Sequence, residues 1–290
     1  MVLKGYKNII INAVIEDLGK GDITSKAIIP SDKKAKAVII AKQDGVVAGV
    51  LFLKEMFSVV DSKTKITPKV KDGKAVKKGT VIAQIQGSAR SILACERTAL
   101  NMLSHLSGIA TVTNQFVKKV KGYRVKILDT RKTLPCLRIL QKYAVKTGGG
   151  TNHRMGLYDQ VLIKDNHIAV VSSQYAGVRG KRKTQAVKEA VKRARKNAPK
   201  HMKIEIEVNN LAEFQAALKE RPDIIMLDNM TIAQMKKAAR LRGKLPILLE
   251  ASGNVRLENI RKIAATGVDT ISIGALTNSA RAIDFSLEII

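Results

Sequence analysis

The sequence predicts an α/β protein in which a parallel β/α barrel follows a smaller β-rich sandwich. Three observations carry this. Beyond Gly122, short β-branched runs alternate with helical segments, the pattern of strands joined by crossover helices. The runs are continuously apolar, which implies a sheet covered on both faces. Each run ends in polar or charged residues, the arrangement in which the carboxyl ends of barrel strands build a site.

The amino-terminal part, ending near Gly108, has a different texture. Ala35 to Ala41, Gly45 to Val50, Ile66 to Val70 and Thr80 to Gln86 read as short strands separated by glycine turns. Asp72 to Ala83 has the turn-and-strand rhythm of lipoyl and biotinyl carrier modules. It lacks the Met-Lys-Met context of an attachment lysine, so it is assigned to the sandwich. From Ile92 to Leu106 the chain is apolar almost all round, which predicts a helix packed on several sides. Arg97 is conspicuous there, because no Lys, Arg, Asp or Glu occurs between it and Lys118. A buried arginine needs an anion or hydrogen-bond partners. A local pair with Glu96 and a ligand contact are both open.

In the second part the predicted strands are Val125 to Leu128, Val161 to Ile163, Lys203 to Val208, Ile224 to Leu227, Ile247 to Leu249 and Thr270 to Ile273. Their ends carry Asp129-Thr130-Arg131-Lys132, Lys164-Asp165-Asn166-His167, Glu207, Asp228-Asn229, Glu250-Ala251-Ser252-Gly253 and Gly274-Ala275. An open doubly wound sheet competes with the barrel, but no Gly-x-Gly-x-x-Gly turn supports it.

At 290 residues and 45% hydrophobic content the chain can bury a sizeable core. No run approaches the roughly 20 apolar residues of a membrane span, and a cytoplasmic protein is expected. Cys95 and Cys136 lie far apart without a partner at metal or redox spacing, so both are read as structural. The 52 Lys and Arg against 24 Asp and Glu leave a formal charge of +28, which favours anionic partners. The densest run, Arg179 to Lys183, leads into a helix with Val187, Ala190, Val191 and Ala194 on one face, a solvated basic face over a packed stripe. Aromatic residues make up 3% and Trp is absent, so the stacking platforms of single-stranded nucleic-acid binding are scarce.

Between Asp129 and His167 lie Arg131, Lys132, Arg138, Lys142, Lys146, His153, Arg154 and Lys164, opposed by Asp129, Asp159 and Asp165 alone. That excess reads as an anion site, since guanidinium groups bind carboxylates bidentately and lysine supplies a mobile charge. Gly148-Gly149-Gly150 either lets backbone N–H groups approach an anion or is a plain loop. Ser252-Gly253-Asn254 and Gly274-Ala275 follow the last two strands, where barrels commonly bind phosphate. Glu207 and Asp228 at neighbouring strand ends suit a hydrated Mg²⁺, with a structural ion pair as the alternative.

Several stretches together make a resemblance specific: Glu16-Asp17-Leu18-Gly19, Gly21-Asp22-Ile23-Thr24, Glu96 to Asn101, Leu106 to Thr111, Asp129 to Pro135, Gly148 to Leu157, Leu162 to His167, Met226 to Met230 and Gly274 to Thr277. In order and spacing the chain resembles the quinolinate phosphoribosyltransferases. The resemblance implies an incomplete parallel α/β barrel joined to an amino-terminal α/β sandwich domain, with residues 1–108 in the sandwich, 109–275 in the barrel, and 276–290 packing back on the first part. It implies phosphoribosyl transfer to quinolinate with decarboxylation, in de novo NAD biosynthesis. Arg97, Thr130, Arg131, His153, Arg154 and Lys164 would surround quinolinate. Lys132, Glu207, Asp228, Ser252, Gly253, Asn254, Gly274 and Ala275 would hold phosphoribosyl pyrophosphate, with Mg²⁺ at Glu207 and Asp228, directly or through water. Lys132, Lys164, Glu207 and Asp228 would form the catalytic set. A homodimer is implied, with Arg97 donated across the interface and a hexamer as a further level of assembly. Neither membrane attachment nor specific nucleic-acid binding is expected. The chain departs from the family pattern at Cys136, where glycine is common, and at Asn254, in place of the second glycine of a Ser-Gly-Gly turn. Competing readings are a Schiff-base role for Lys164, a nicotinate-specific transferase, a paralogue using another base, and nucleic-acid binding driven by charge.

Overall fold

A computed structural model describes residues 5–173 and 182–290. The chain divides into two compact units, one of residues 1–114, 132–150 and 275–290, the other of 115–131 and 151–274. Of the basic run Arg179 to Lys183, the first three residues lie outside the described residues.

The first unit opens with helices α1 (Tyr6–Leu18) and α2 (Ile23–Ile28), the second capped by the Asp22 carboxylate on the Ser25 N–H. Its main sheet holds β1 (Lys34–Ala41), β3 (Lys65–Pro68), β5 (Val81–Ser88) and the carboxyl-terminal strand β12 (Phe285–Ile289), in the order β12-β1-β5-β3. Every pairing in it is antiparallel, and Ala37 pairs with Ile289 on one side and Ile85 on the other. The carboxyl terminus therefore returns to the first strand. A two-stranded sheet joins β2 (Gly45–Val46) to β4 (Ala75–Val76), and α3 (Val50–Val60) lies between β2 and β3 in the chain. The segment with carrier-like rhythm supplies β4 and the start of β5. Val50, read as the end of a strand, begins α3, whose buried Val50, Phe52, Leu53, Met56 and Phe57 form a helical rather than alternating stripe.

Helix α4 runs from Ala89 to Lys119, well beyond the predicted helix Ile92 to Leu106 and past the end of the first part expected near Gly108. The glycine sits inside the helix because a Cβ there would overlap the Arg281 carbonyl oxygen. Beside it and one turn on, the hydroxyls of Ser107 and Thr111 accept the backbone N–H groups of Ala48 and Val46 at 3.0 and 2.8 Å. The Leu106 to Thr111 motif is thus a seam between a helix and a strand edge. Phe52 is sandwiched by Tyr6 and Tyr143, each 5.2 Å away between ring centroids, and the Tyr143 hydroxyl donates to Asp72 at 2.6 Å.

In the second unit β6 (Lys126–Leu128), β7 (Val161–Ile163), β8 (Ile204–Val208), β9 (Ile224–Asp228), β10 (Leu248–Ser252) and β11 (Thr270–Ser272) form one sheet in the order β6-β11-β10-β9-β8-β7. All its pairings are parallel. Among the described residues β6 and β7 do not pair, so the barrel is not closed. Helices α6 (Asp165–Ser173), α7 (Arg182–Asn197), α8 (Leu211–Lys219), α9 (Ile232–Arg242) and α10 (Ile260–Ala264) connect successive strands. Asn210 caps α8 through the Glu213 N–H, and Thr231 with Gln234 forms a capping box on α9. Helix α7 buries Ala186, Val187, Ala190 and Val191 beneath its basic face. The remaining helices, α5 (Arg138–Thr147) and α11 (Ala275–Asn278), belong to the first unit. Among the described residues no helix is long and apolar enough to cross a membrane.

Candidate active site

Strand geometry decides which side chains of the second unit converge. Alternate residues share a face, and the registers Leu162 with Glu205, Glu207 with Met226, Met226 with Glu250 and Asp228 with Ser252 join those faces across four strands. One face therefore carries Glu205, Glu207, Asp228, Glu250 and Ser252. Lys164, one residue past β7, continues the register and reaches Glu207 with its Nζ at 3.3 Å. Burial raises the Glu207 carboxyl above its usual range, opposed by Lys164 and reinforced by the nearby negative Asp228. Two carboxylates and a lysine thus meet at the strand ends.

The turns after β9 and β10 are stitched to each other. The Asn229 N–H donates to the Ser252 carbonyl at 2.9 Å, and the Asn254 side chain donates to Asn229 Oδ1 at 3.0 Å. Asn229 and Asn254 have φ of 52° and 50°, in the left-handed region that asparagine tolerates better than most residues. Asn254 thus holds a left-handed turn position without glycine. Gly253, at φ 87°, has no room for a Cβ beside the Asn229 side chain. Cys136 also takes a left-handed φ, 62°, which accounts for the glycine common there.

Past β6, Asp129 is fully buried and accepts both the Asn152 side-chain N–H, at 2.5 Å, and the His153 backbone N–H, at 2.9 Å. It fixes the segment that presents Arg154. Arg154 is 7% exposed, and burial, followed by the like charge of Arg131, lowers its affinity for a proton. Two arginines close enough to oppose each other form a ready seat for an anion. Gly274 follows the β11 end, where the Ile273 N–H donates to the Leu128 carbonyl.

Behind this seat lies a cluster that the sequence reading did not single out as a site. His153 Nε2 is 3.1 Å from Glu205 and 3.5 Å from Glu250, both essentially without solvent exposure. Burial alone would lower the His153 pKa, but the two carboxylates outweigh it and raise it to about 10. Burial also raises Glu205. The Arg154 backbone N–H lies 2.9 Å from His153 Nδ1, on the side of the ring away from the carboxylates. A signal was present in the sequence: Glu205 and Glu207, two apart in an apolar strand, must share a face.

The first unit carries Arg97, Lys132 and Ala275. Arg97 is exposed on α4, which corrects the expectation of a buried arginine: Cys95, Thr98, Ala99 and Leu100 take the buried positions around it. The Lys132 carbonyl accepts from the Thr277 hydroxyl at 2.8 Å, and Leu134 N–H donates to the buried Gln141, so the loop after Arg131 is anchored at both ends. Gly148, Gly149 and Gly150 donate their N–H groups to Ala144, Lys146 and Val145 at the end of α5. They do not form an anion cradle. Gly148 is required by its approach to the Ala110 carbonyl.

Comparison with known proteins agrees with this geometry along the whole chain. Residues 22–107 match the quinolinate phosphoribosyl transferase N-terminal domain and residues 109–288 its C-terminal domain. A probable nicotinate-nucleotide pyrophosphorylase (carboxylating) of Methanocaldococcus jannaschii is 44% identical over 100% of this chain and 99% of its own length. The nicotinate-nucleotide pyrophosphorylase (carboxylating) of Mycobacterium leprae is 43% identical, over 96% and 94%. Among solved structures, NadC from Streptococcus pyogenes superposes with a TM-score of 0.90 at 37% identity, over 100% of this chain and 99% of that one. With both family domains matched in order and parallel strand ends carrying paired cations and carboxylates, the chain belongs to the quinolinate phosphoribosyltransferase family.

Proposed function

We infer that this chain carries out the reaction of its family through the strand-end groups described above. It transfers the phosphoribosyl group of phosphoribosyl pyrophosphate to quinolinate, with loss of carbon dioxide, and yields nicotinate mononucleotide and pyrophosphate for NAD biosynthesis. The observation that carries this reading is the Arg131–Arg154 seat in the same unit as a sheet face bearing Lys164, Glu207, Asp228 and Ser252. Such a pair of regions suits a dianionic pyridine and a polyphosphate donor.

In this reading Arg131, Arg154 and Lys164 take the carboxylates of quinolinate, with Thr130, His153 and Arg97 as further contacts. Lys132, Ser252, Gly253, Asn254, Gly274 and Ala275 hold the donor. The pyridine nitrogen forms a bond to the anomeric carbon as the bond to pyrophosphate breaks, and positive charge develops on the ribose. Glu207 and Asp228 face that charge with fixed carboxylates. The new pyridinium then stabilises the electron pair left on the ring carbon when the adjacent carboxylate departs as carbon dioxide, and solvent supplies the proton. No protein nucleophile takes part.

Glu207 and Asp228 also fit Mg²⁺. They are hard oxygen donors on adjacent strands, Asp228 is partly exposed, and few protein ligands leave room for water and phosphate oxygens. When bound, the ion offsets the charge of pyrophosphate and makes it a better leaving group. The exposed Arg97 would serve a partner subunit's site in a homodimer, where a two-fold axis repeats each contact.

Four outcomes are expected. Carboxyl-labelled quinolinate should release carbon dioxide only when phosphoribosyl pyrophosphate and Mg²⁺ are present, and folded protein that releases none overturns the reading. Arg131→Ala or Arg154→Ala should weaken quinolinate binding by roughly 1.5–3 kcal/mol while donor binding is little affected; equal losses in a calorimetric titration would count against the assignment. Glu207→Gln and Asp228→Asn should depress turnover more than quinolinate affinity, because the charge they meet is greatest in the transition state. For Arg97, inactive Arg97→Ala and Lys164→Ala proteins refolded together should recover about a quarter of wild-type activity, since half the randomly paired dimers are mixed and each of those has one intact site. No recovery would place Arg97 in its own subunit's site.

A further inference from the structure

Arg154 sits in the segment Thr151–Gln160, which contains no helix and only an isolated bridge from Thr151 to Leu128. Its guanidinium is nevertheless almost buried, so side-chain contacts must hold the segment in place. They form a closed circuit. Glu205 Oε2 accepts from Gln160 Nε2 at 2.6 Å, and the Gln160 carbonyl accepts from Arg154 Nη1 at 3.0 Å. The Arg154 backbone N–H donates to His153 Nδ1 at 2.9 Å, and His153 Nε2 closes the circuit as a contact, without a hydrogen bond, 3.1 Å from the same Glu205 oxygen. Glu250, on the same sheet face two strands away, lies 3.5 Å from the same Nε2.

We propose that Glu205, seconded by Glu250, is a positioning residue for the dicarboxylate seat: its carboxylate ties the head and the tail of the Arg154 segment to the sheet. A carboxylate suits this task because it is acceptor-only and can take the Gln160 N–H while lying against the His153 ring, whereas an amide would aim donors at donors over half its surface. It also lies close enough to Arg154 to offset the like charge of Arg131 there. The same three side chains have ligand atoms within 4.8 Å of one another, a spacing a metal ion would accept. The circuit through Gln160 favours the positioning role, because it already commits the Glu205 oxygen that faces the ring.

This inference rests on Arg154 being a quinolinate contact, and a double-mutant cycle separates the two claims. Glu205→Gln should raise the KM for quinolinate about tenfold and leave the KM for phosphoribosyl pyrophosphate within about twofold. Added to Arg154→Ala, it should have no further effect on the quinolinate KM. Glu250→Gln should act in the same direction more weakly. An unaltered quinolinate KM in folded Glu205→Gln, or additive effects in the double variant, would overturn the proposal. If Arg154→Ala alone leaves the quinolinate KM unaltered, the underlying site reading fails instead. Should Glu205→Gln not fold, Gln160→Ala opens the circuit with Glu205 in place and decides in the same way: coupling to Arg154→Ala sustains the proposal and additivity overturns it.

Discussion

The parity of a β-strand, carried from one strand to the next by parallel register, is the constraint on which the rest of this molecule depends. Side chains alternate between two faces, so once Glu207 is level with Met226, and Asp228 with Ser252, the partition is settled for every residue in the sheet. A slip of one residue in β8 would exchange Glu205 and Glu207 for Ile204 and Ile206, and would turn two carboxylates into the hydrophobic layer beneath the helices. That cost fixes the register. The chemistry of the strand ends follows from the packing of the strands.

Buried charge is the second organising demand. Asp129, Glu205, Glu250 and Glu213 are all essentially excluded from solvent, and isolated carboxylates there would cost several kcal/mol each. Each is met by donors or cations whose positions matter: Asp129 by Asn152 and the His153 N–H, Glu205 by Gln160 and His153, Glu250 by His153 and Thr270, Glu213 by the Asn209 N–H, the Asn210 side chain and Lys183. Three of the four brace the segment that carries Arg154. Energetic need and functional order coincide, because the partners that neutralise the acids are the residues that must be held still.

The first unit applies a different rule to the same problem. Short strand edges leave N–H groups without partners, and α4 supplies hydroxyls from Ser107 and Thr111 to accept them. Close backbone approach then requires glycine, at Gly108 against Arg281 and at Gly148 against Ala110. These motif residues therefore serve packing, although they stand in the same short blocks as residues assigned to substrate.

Much of the architecture was legible along the chain. The β-branched runs of the second unit, the basic helix with its buried stripe and the cation-rich segment from Arg131 to Lys164 are local patterns, and periodicity reports local patterns faithfully. Glu207 and Asp228 were legible for the same reason, as charges at the ends of apolar runs. Long-range contact was not. The exposure of Arg97, the internal use of the N–H groups of Gly148 to Gly150 and the continuation of α4 through Gly108 depend on what lies opposite each residue, and no one-dimensional pattern encodes that. The Glu205–His153–Arg154–Gln160 circuit is the clearest case, since it joins residues 45 positions apart through atoms only folding brings together. Composition and order sufficed for the elements and their chemistry, because propensity and alternation act between neighbours; which buried acid meets which donor was settled by the register of the sheet.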